Sequence, residues 1–401
     1  MLDNKKKMGD FFTRFDKLSE RVEGMYALGR RPFGMTFDQM LSPTRARVGN
    51  TEVILAGTNN YLGLTFSDEC REAAKAAIDA HGTATTGSRL ANGTYAEHVA
   101  LEDDLRHFFG TAAAIVFTTG YQANLAAISA LVGRGDHLFI DADSHACIYD
   151  ASRLCDAETI RFRHNSPEDL ARRLARLPED GARLVVIEGL YSMLGDVAPV
   201  AEFVEVAHAH GAMILVDEAH SIGCYGDHGR GLCQAEGVTD EVDFITGTFS
   251  KSFASIGGFC VSRHAGLEMT RLVSRPYLFT ASGSPANVAT ARAALAVMAA
   301  DDSRRTALWD RARQLHAGLT AAGYVPASPP GPIIAVERPD ELTAVREWNA
   351  LLNAGIYVNI AVPPATPQAK SLLRLSVSAA HGVDEINRII AAFKGLSRAA
   401  A

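Results

Sequence analysis

The sequence predicts an α/β protein whose large domain has a mostly parallel sheet covered by helices, followed by a small C-terminal α+β domain. From about residue 50 to 285, short apolar runs alternate with amphipathic stretches, and this alternation is typical of parallel sheets. At 401 residues the chain also exceeds one ordinary hydrophobic core. We expect an N-terminal helical arm over residues 1–55, the large domain over 56–288 and the small domain over 289–401.

The N-terminal arm carries apolar side chains at the three- and four-residue steps of a helix, namely Phe11, Phe15, Leu18, Val22 and Met25. Such a face usually packs on the body of the protein or on a partner subunit. The alternative is a helix that touches a membrane surface, helped by the lysines at 5–7.

The large domain contains short apolar runs that predict buried strands: Ala112–Phe117, His137–Ile140, Leu184–Ile187, Met213–Val216 and Phe244–Thr246. Each run is followed by glycine, hydroxyl or acidic residues, and amphipathic segments such as Val200–Ala209 lie between the runs. Because ligands bind at the carboxyl ends of parallel strands, we expect these polar residues to form one site.

The small domain has a different pattern. Helices are predicted over residues 286–300 and Arg304–Ala322, with short strands at Ile333–Val336 and Tyr357–Ile360. The last strand, Leu373–Ser378, alternates strictly, which places Arg374 on the face opposite its apolar neighbours. An amphipathic helix around Ile386–Phe393 closes the chain.

The composition excludes several classes of function. A net charge of −7 gives no basic field for nucleic acid, and the longest apolar runs are shorter than a membrane span. Residues 11–20 are interrupted by charges and lack the apolar core of a signal peptide. Six cysteines without a CxxC pair are no disulfide framework. We expect a cytoplasmic protein.

One loop contains residues that are spaced like zinc ligands: His220, Cys224, His228 and Cys233. The loop is also rich in glycine, and an acid and a lysine described next give His220 a different role. We therefore expect no bound metal, and zinc remains the alternative interpretation.

Lys251 is the most informative residue of the chain. It lies in the small-residue turn Thr246-Gly-Thr-Phe-Ser-Lys-Ser252, directly after a strand. A lysine held in such a turn loses water, and its pKa can fall toward neutrality, as a covalent amine requires. The hydroxyls of Thr248 and Ser250 are suited to a bound phosphate.

A carboxylate stands at the end of an earlier apolar run, Met213–Val216. Asp217 begins Asp217-Glu-Ala-His220, and a carboxylate at a buried strand end is costly unless it meets a cation. An N-cap or a metal ligand is an alternative role for Asp217 alone. Together with Lys251 and the phosphate donors, it indicates a site for pyridoxal phosphate (PLP), whose protonated ring nitrogen Asp217 would bind while His220 approaches the phenolic oxygen.

Two further strand ends carry weaker signals. Gly120 and Tyr121 open a helix after Ala112–Phe117, where free N–H groups can bind a phosphate. His145 ends the run Asp141-Ala-Asp-Ser-His145, where its ring could stack on the PLP ring. Without this context, an exposed loop histidine would be the favoured interpretation of His145.

Read together, these segments resemble the α-oxoamine synthases, PLP enzymes of fold type I, the aspartate-aminotransferase-like fold. The resemblance covers nearly the whole chain and includes Asn59–Leu64, Thr85–Gly93, Glu188–Asp196, Arg275–Ser282 and Pro363–Pro367. The last of these, with the form Thr85-Thr-Gly-Ser-Arg89, is similar to the soluble bacterial branch that joins serine to a long-chain acyl thioester.

The resemblance implies roles for named residues. Lys251, His145, Asp217 and His220 would be the catalytic residues. The cofactor-binding set would be Gly120, Tyr121, His145, Ser192, Asp217, His220, Thr248, Ser250, Lys251 and Thr280, with Thr280 reaching the phosphate of the other subunit of a homodimer. Arg374, Asn60 and His145 would bind substrate. Val362 departs from the pattern, because some relatives carry a basic residue there.

The reaction implied by the resemblance is a decarboxylative condensation of L-serine with palmitoyl-CoA or an acyl-carrier-protein thioester. It gives 3-oxosphinganine, CO2 and the free thiol carrier, the first step of sphingolipid synthesis. The alternatives are a sister synthase, such as glycine C-acetyltransferase or 8-amino-7-oxononanoate synthase, and a catalytically silent partner subunit. Peripheral contact with the inner membrane face is a further expectation.

Overall fold

The computed structural model describes residues 11–178 and 180–399, in which helices and strands alternate along the chain. The helices are α1 (Asp16–Tyr26), α2 (Asp68–His81), α3 (Ala96–Phe109), α4 (Gly120–Leu131), α5 (Ala146–Leu154), α6 (Pro167–Leu174), α7 (Val200–Ala209), α8 (Leu232–Ala235), α9 (Arg275–Leu278), α10 (Pro285–Ala300), α11 (Ser303–Ala321), α12 (Glu341–Asn353) and α13 (Val383–Ala399). Short 3-10 helices lie at Thr13–Phe15, Leu64–Phe66, Asp227–Gly229, Ala265–Leu272 and Pro367–Ala369.

The strands of the described residues form three sheets. They are β1 (Gln39–Ser42), β2 (Arg45–Val48), β3 (Thr51–Leu55), β4 (Ala113–Phe117), β5 (His137–Asp141), β6 (Glu158–Phe162), β7 (Arg183–Glu188), β8 (Met213–Asp217), β9 (Phe244–Thr248), β10 (Gly258–Ser262), β11 (Ile333–Arg338), β12 (Ile356–Tyr357), β13 (Asn359–Ala361) and β14 (Ser371–Ser376).

The central sheet has seven strands in the order β4-β10-β9-β8-β7-β5-β6. Only β10 runs against its neighbours, so the sheet is mostly parallel as predicted. Alternate side chains pack on opposite faces: Val185 and Ile187 lie in one core cluster, Leu184 and Val186 in the other. The sheet is therefore buried on both faces, which explains why inner strands such as β7 and β8 are nearly continuous apolar runs.

Two strands of this sheet have no counterpart in the sequence prediction. Strand β6 is an edge strand with an exposed, charged sequence, so it lacks the apolar run of an inner strand. Strand β10 follows Gly257 closely and forms the return arm of a hairpin with β9. Both cases show that apolar runs identify inner strands better than edge strands and hairpin arms.

The N-terminal region is helical over a shorter span than predicted. The helix α1 covers Asp16–Tyr26, whereas residues 39–55 form the strands β1, β2 and β3. Strand β3 pairs in parallel with β12 of the C-terminal region, so this part of the predicted arm is tied to the C-terminal region by backbone hydrogen bonds. The boundaries of the three predicted regions stay predictions.

The C-terminal region contains the antiparallel sheet β11-β14-β13, packed with α11, α12 and α13. Strand β14 is buried on both faces, so Arg374 is only 6% exposed although it points away from Leu373 and Leu375. Within the described residues, no helix is both long enough and apolar enough to cross a membrane.

Candidate active site

A cavity of about 450 Å³ lies at the carboxyl ends of the parallel strands. Eight of the predicted site residues line it: Gly120, Tyr121, His145, Asp217, His220, Thr248, Ser250 and Lys251. They come from β8, β9 and the first turns of α4 and α5, which a parallel sheet brings to one edge. Asn60, Ser192, Thr280 and Arg374 do not line this cavity.

One end of the cavity is built to receive an anion. The side chain of Thr119 caps α4 by accepting the N–H of Gln122, and the first N–H groups of a helix have no intrahelical acceptor. The hydroxyls of Thr248 and Ser250 lie 2.8 Å apart. A Cβ at Gly120 would lie only 2.6 Å from Thr248 Cβ, so glycine allows the helix to approach β9 this closely.

Lys251 follows β9 and projects into the cavity. Burial lowers the pKa of its ammonium to about 8, although the nearby charges of Asp217 and Glu188 oppose this shift. Among the described residues, none accepts a hydrogen bond from Lys251 Nζ. The side chain therefore presents an amine that is largely neutral at mildly alkaline pH, as nucleophilic attack on a carbonyl requires.

Asp217 is oriented by neutral donors. Its Oδ2 accepts a hydrogen bond from Asn124 Nδ2 at 2.6 Å, and its Oδ1 accepts the N–H of Ala219 at 2.8 Å. Thr246 in turn donates to Asn124 Oδ1 at 2.7 Å, which fixes the orientation of the amide. The carboxylate is 5% exposed and faces the cavity.

Glu188 is a second buried carboxyl group, beside Asp217 in the register of β7 and β8. Its side chain accepts the backbone N–H of His145. Burial and the charge of Asp217 raise the pKa of Glu188 well above its ordinary value. The contact of Glu188 with His145 holds the start of α5 against β7.

His145 is the N-cap of α5, and its Nδ1 accepts the N–H of Cys147 at 3.2 Å. Burial lowers the pKa of its imidazole, so the ring is neutral near pH 7. Its ring lies 6.1 Å from the ring of Tyr121 in an edge-to-face arrangement. The hydroxyl of Tyr121 donates to Asp150.

A hydrogen-bond chain leads from the cavity to Arg374. His220 Nδ1 and the hydroxyl of Tyr61 are 2.7 Å apart, and that hydroxyl lies 3.2 Å from Asn59 Oδ1. Arg374 Nη2 donates to the same Asn59 oxygen at 3.2 Å, and its Nε donates to the carbonyl of Ser192 at 2.5 Å. Burial lowers the pKa of His220 well below its ordinary value.

The remaining predicted residues have other contacts in the single chain. Ser192 contributes its carbonyl oxygen to Arg374. Thr280 accepts a hydrogen bond from Gln122 Nε2 at 3.1 Å, close to the start of α4. Asn60 Nδ2 donates to Thr65 at 2.8 Å. Their predicted roles toward cofactor and substrate stay predictions.

The alternative zinc loop has no ligand geometry. His228 is exposed and contacts the carbonyl of Ala299, while Cys224 lies near Ser252. The backbone N–H of Cys233 donates to Glu218. No group of three or more His, Cys, Asp or Glu side chains within residues 11–178 and 180–399 is arranged to hold a metal ion.

Sequence reasoning missed several residues around the cavity, chiefly Asn124, Glu188, Tyr61 and Cys147. Glu188 follows the apolar run Leu184–Ile187, so the strand-end rule that identified Asp217 also applies to it. Asn124 is a polar residue on the buried face of α4. Tyr61 carries no local signal, because its partner is 159 residues away.

Comparison with known proteins identifies the family of the chain. The model of a family described as aminotransferase class I and II matches residues 51–393. A serine palmitoyltransferase from Caulobacter vibrioides is 52% identical over 380 residues, covering 94% of each chain. One from Sphingomonas paucimobilis is 47% identical over 393 residues, covering 97% of this chain and 94% of the relative.

A solved structure is similar over the whole length. Serine palmitoyltransferase from S. paucimobilis, with a bound PLP–myriocin aldimine, matches with a TM-score of 0.96 at 46% identity. The match covers 98% of this chain and 99% of that one. The predicted aspartate-aminotransferase-like fold is confirmed.

Proposed function

The chain belongs to the aminotransferase class I and II family, and from this premise we propose that it is a PLP-dependent serine palmitoyltransferase. The observation that carries the proposal is the cavity in which Lys251, with a pKa lowered to about 8, shares the lining with Asp217 and the anion-binding start of α4. The identity of about 50% to serine palmitoyltransferases over most of the chain supports the choice of reaction.

PLP fits the donor set of the cavity. The N–H groups at the start of α4, with the hydroxyls of Thr248 and Ser250, suit a phosphate. The hydrogen-bond donors of Asp217, Asn124 and the N–H of Ala219, are neutral, and no cation of the described chain donates to it. Its carboxylate therefore suits a protonated ring nitrogen. His220 suits the phenolic oxygen, and Lys251 the aldehyde carbon.

When bound, PLP supplies the electron sink that makes the Cα proton of an amino acid acidic. Lys251 is the group that moves this proton, because its Nζ is the amine of the cavity and its lowered pKa lets it both accept and return a proton near pH 8. Asp217 would stabilise the positive charge of the cofactor ring, and Asn124 fixes the direction of its carboxylate.

The substrate carboxylate is assigned to Arg374, with His145 and Asn60 as further contacts. Arg374 is 6% exposed, and its Nε donates a hydrogen bond to the carbonyl of Ser192. This contact holds the guanidinium in one orientation. A buried, oriented guanidinium binds a carboxylate more strongly than an exposed one does. The acyl group arrives as a thioester of coenzyme A or of an acyl carrier protein, and the products are 3-oxosphinganine, CO2 and the free thiol carrier.

We further propose a homodimer with a shared site, in which Thr280 reaches the phosphate of the other subunit. Large apolar side chains near Thr280 are exposed in the single chain: Met269 64%, Leu272 56%, Val273 62% and Phe279 78%. An apolar patch of this kind is typical of a subunit interface. A mass in solution of one 42.9-kDa chain would contradict this assignment.

A cytoplasmic location with peripheral contact at the inner membrane face is proposed for the same enzyme. Phe11, Phe12 and Phe15 are exposed beside Arg14 and Lys17, and apolar and basic side chains together favour an anionic membrane surface. Failure to co-sediment with anionic lipid vesicles at low salt would contradict the membrane contact.

The experiment that tests the proposed function is a visible absorption titration of the holoenzyme with L-serine, followed by palmitoyl thioester and product analysis. Glycine and L-alanine with short and long thioesters are run side by side. We expect 3-oxosphinganine from serine and palmitoyl thioester, and no turnover by Lys251→Ala. Faster turnover of glycine or alanine would assign a sister synthase, and a protein that stays colourless with PLP would indicate a silent subunit.

A further inference from the structure

A histidine outside the cavity connects two loops of the candidate site. His164 lies in the turn between β6 and α6, and it is not among the predicted site residues. Its Nδ1 lies 2.8 Å from Asp141 Oδ1, and its Nε2 lies 2.6 Å from Asp196 Oδ2. Because each ring nitrogen faces a carboxylate oxygen, both must donate, and the ring is an imidazolium.

The two carboxylates belong to different loops. Asp141 ends β5, is fully buried, and begins the loop 141–145 that carries His145. Asp196 belongs to the loop 189–197 after β7, which also carries Ser192, the carbonyl acceptor of Arg374. His164 therefore joins the loop of one proposed substrate contact to the loop that orients the other.

Neighbouring contacts reinforce this bridge. The backbone N–H of Asn165 donates to Asp141 Oδ2 at 2.9 Å, and its Nδ2 donates to Asp196 Oδ2 at 3.0 Å. Asn165 has a positive φ of 48°, a conformation that asparagine tolerates better than most residues. The ring of Tyr191, on the Asp196 loop, packs edge-on against His164 at 4.5 Å. This bridge of Asp141, His164 and Asp196 is thus already formed by residues of the chain itself.

The charge of the bridge is stable near neutral pH. Burial alone would lower the pKa of His164, but the hydrogen bonds and charges of Asp141 and Asp196 outweigh burial and raise it to about 10. Asp143 adds a third carboxylate 4.0 Å from Nε2. A neutral amide could not donate to both loops with the strength of an ionised group.

We propose that His164 is a positioning residue, which holds the loops 141–145 and 189–197 at one separation and so sets the distance between His145 and Arg374 for a substrate carboxylate. This inference rests on the proposed function, because it takes an amino acid as the ligand. His164 itself does not line the cavity. The start of α4, which is proposed to bind the phosphate, belongs to neither of the two loops. Loss of the bridge therefore weakens amino-acid binding, whereas the proposed PLP contacts at Asp217, Lys251 and the start of α4 lie outside both loops and keep the cofactor bound.

The test measures the Kd of L-serine by visible absorption titration of the holoenzyme for His164→Gln, Asp196→Asn and the double variant. We expect each single variant to bind serine about 10- to 100-fold more weakly, because a small displacement of a binding group has effects of this size. The double variant should be no weaker than either single one, since both remove the same bridge. PLP content should stay at the wild-type level.

His264→Gln is the matched control. His264 Nε2 lies 2.7 Å from Asp243 Oδ1 at the opposite edge of the sheet, so this variant removes a histidine–carboxylate contact of similar length away from the cavity. Its serine Kd should stay within about twofold of wild type, as expected for an independent site. Unchanged serine affinity in His164→Gln or Asp196→Asn, an equal loss in His264→Gln, or parallel loss of PLP would overturn the proposal.

The same titrations with glycine and L-alanine separate this inference from the proposed function. All three amino acids present the same carboxylate, so a lost bridge weakens all of them together. A wild-type protein that prefers glycine or alanine contradicts the palmitoyltransferase assignment, yet a weakened affinity of His164→Gln for that amino acid would still support the bridge.

Discussion

Two buried carboxylates at opposite edges of the central sheet have contrasting partners. Asp243 precedes β9 at the amino edge and is 1% exposed. It accepts hydrogen bonds from Arg263, from His264 and His208, and from the N–H of Ile214. Asp217 ends β8 at the carboxyl edge and is 5% exposed, and its hydrogen-bond donors in the described chain are the neutral groups of Asn124 and Ala219.

The difference separates a structural carboxylate from a functional one. Burial would raise the pKa of Asp243, but the hydrogen bonds from His264, Ile214 and Arg263 outweigh burial and hold its pKa below the ordinary value. The chain thus supplies cations that compensate Asp243. At Asp217 the described chain supplies only the charge of Lys251, whose pKa is lowered, and no hydrogen bond from a cation. Burial without a hydrogen-bonded cation of the described chain therefore identifies the reactive edge.

The largest expected effect comes from exchanging these two carboxylates for amides. Asp217→Asn should lower turnover by at least about 10²-fold, because it removes the charge opposite the reacting centre, while the free energy of unfolding changes by about 1 kcal/mol. Asp243→Asn should lower the free energy of unfolding by about 3 kcal/mol and leave turnover per folded molecule unchanged. Steady-state kinetics and urea unfolding measure both. Equal effects of the two variants on turnover would break the comparison.

The sequence predicted most of this geometry because parallel strands end at one edge. The run before Asp217 is apolar throughout, and the turn of Lys251 follows the apolar pair Phe244-Ile245. Both strand ends were therefore visible, and their meeting followed from the sheet type. The edge strand β6 was missed because it exposes Glu158 and Arg161. The strands β1 and β2 were missed because they are short and partly exposed. Strand β3 was missed because its parallel partner β12 lies some 300 residues later in the chain, as the pairing of Leu55 with Tyr357 shows.

The partners of the site residues could not be predicted. Asn124 is 93 residues from Asp217, and no local pattern links a helix residue to a given strand end. The contact of His220 with Tyr61 spans 159 residues. Glu188 is different, because the sequence shows that it ends a strand. The sequence does not show that Glu188 is buried beside Asp217. Residue types could thus be inferred from the sequence, whereas pairings needed the tertiary structure.

A second prediction concerns Lys251, the cation at the carboxyl edge of the sheet. The folded pKa of Lys251, about 8, is below its ordinary 10.5. Between these values the unfolded chain holds a proton that the folded chain has released, so stability rises with pH across this window. In the apoprotein at pH 7, Lys251→Met should therefore raise the free energy of unfolding by about 2 kcal/mol, and the gain should shrink toward pH 10.

Urea unfolding of both apoproteins at several pH values measures this difference. Arg263→Met is the control at the amino edge, where the cation compensates Asp243. It should lower the free energy of unfolding at all these pH values, because it leaves a buried carboxylate with fewer partners. A Lys251→Met protein that is less stable than wild type at pH 7 would contradict the contrast between the two edges.

The smallest expected effect tests the hydroxyl that joins His220 to Asn59. Tyr61→Phe removes a fully buried hydrogen-bonding group, which should cost about 1 kcal/mol of stability and lower kcat/KM for serine about fivefold. Tyr324→Phe is the matched control, because its buried hydroxyl donates to the carbonyl of Phe393 far from the cavity. It should lose similar stability in urea unfolding and keep wild-type kcat/KM. If the two variants lose kcat/KM equally, the hydrogen-bond chain from His220 to Arg374 serves stability alone.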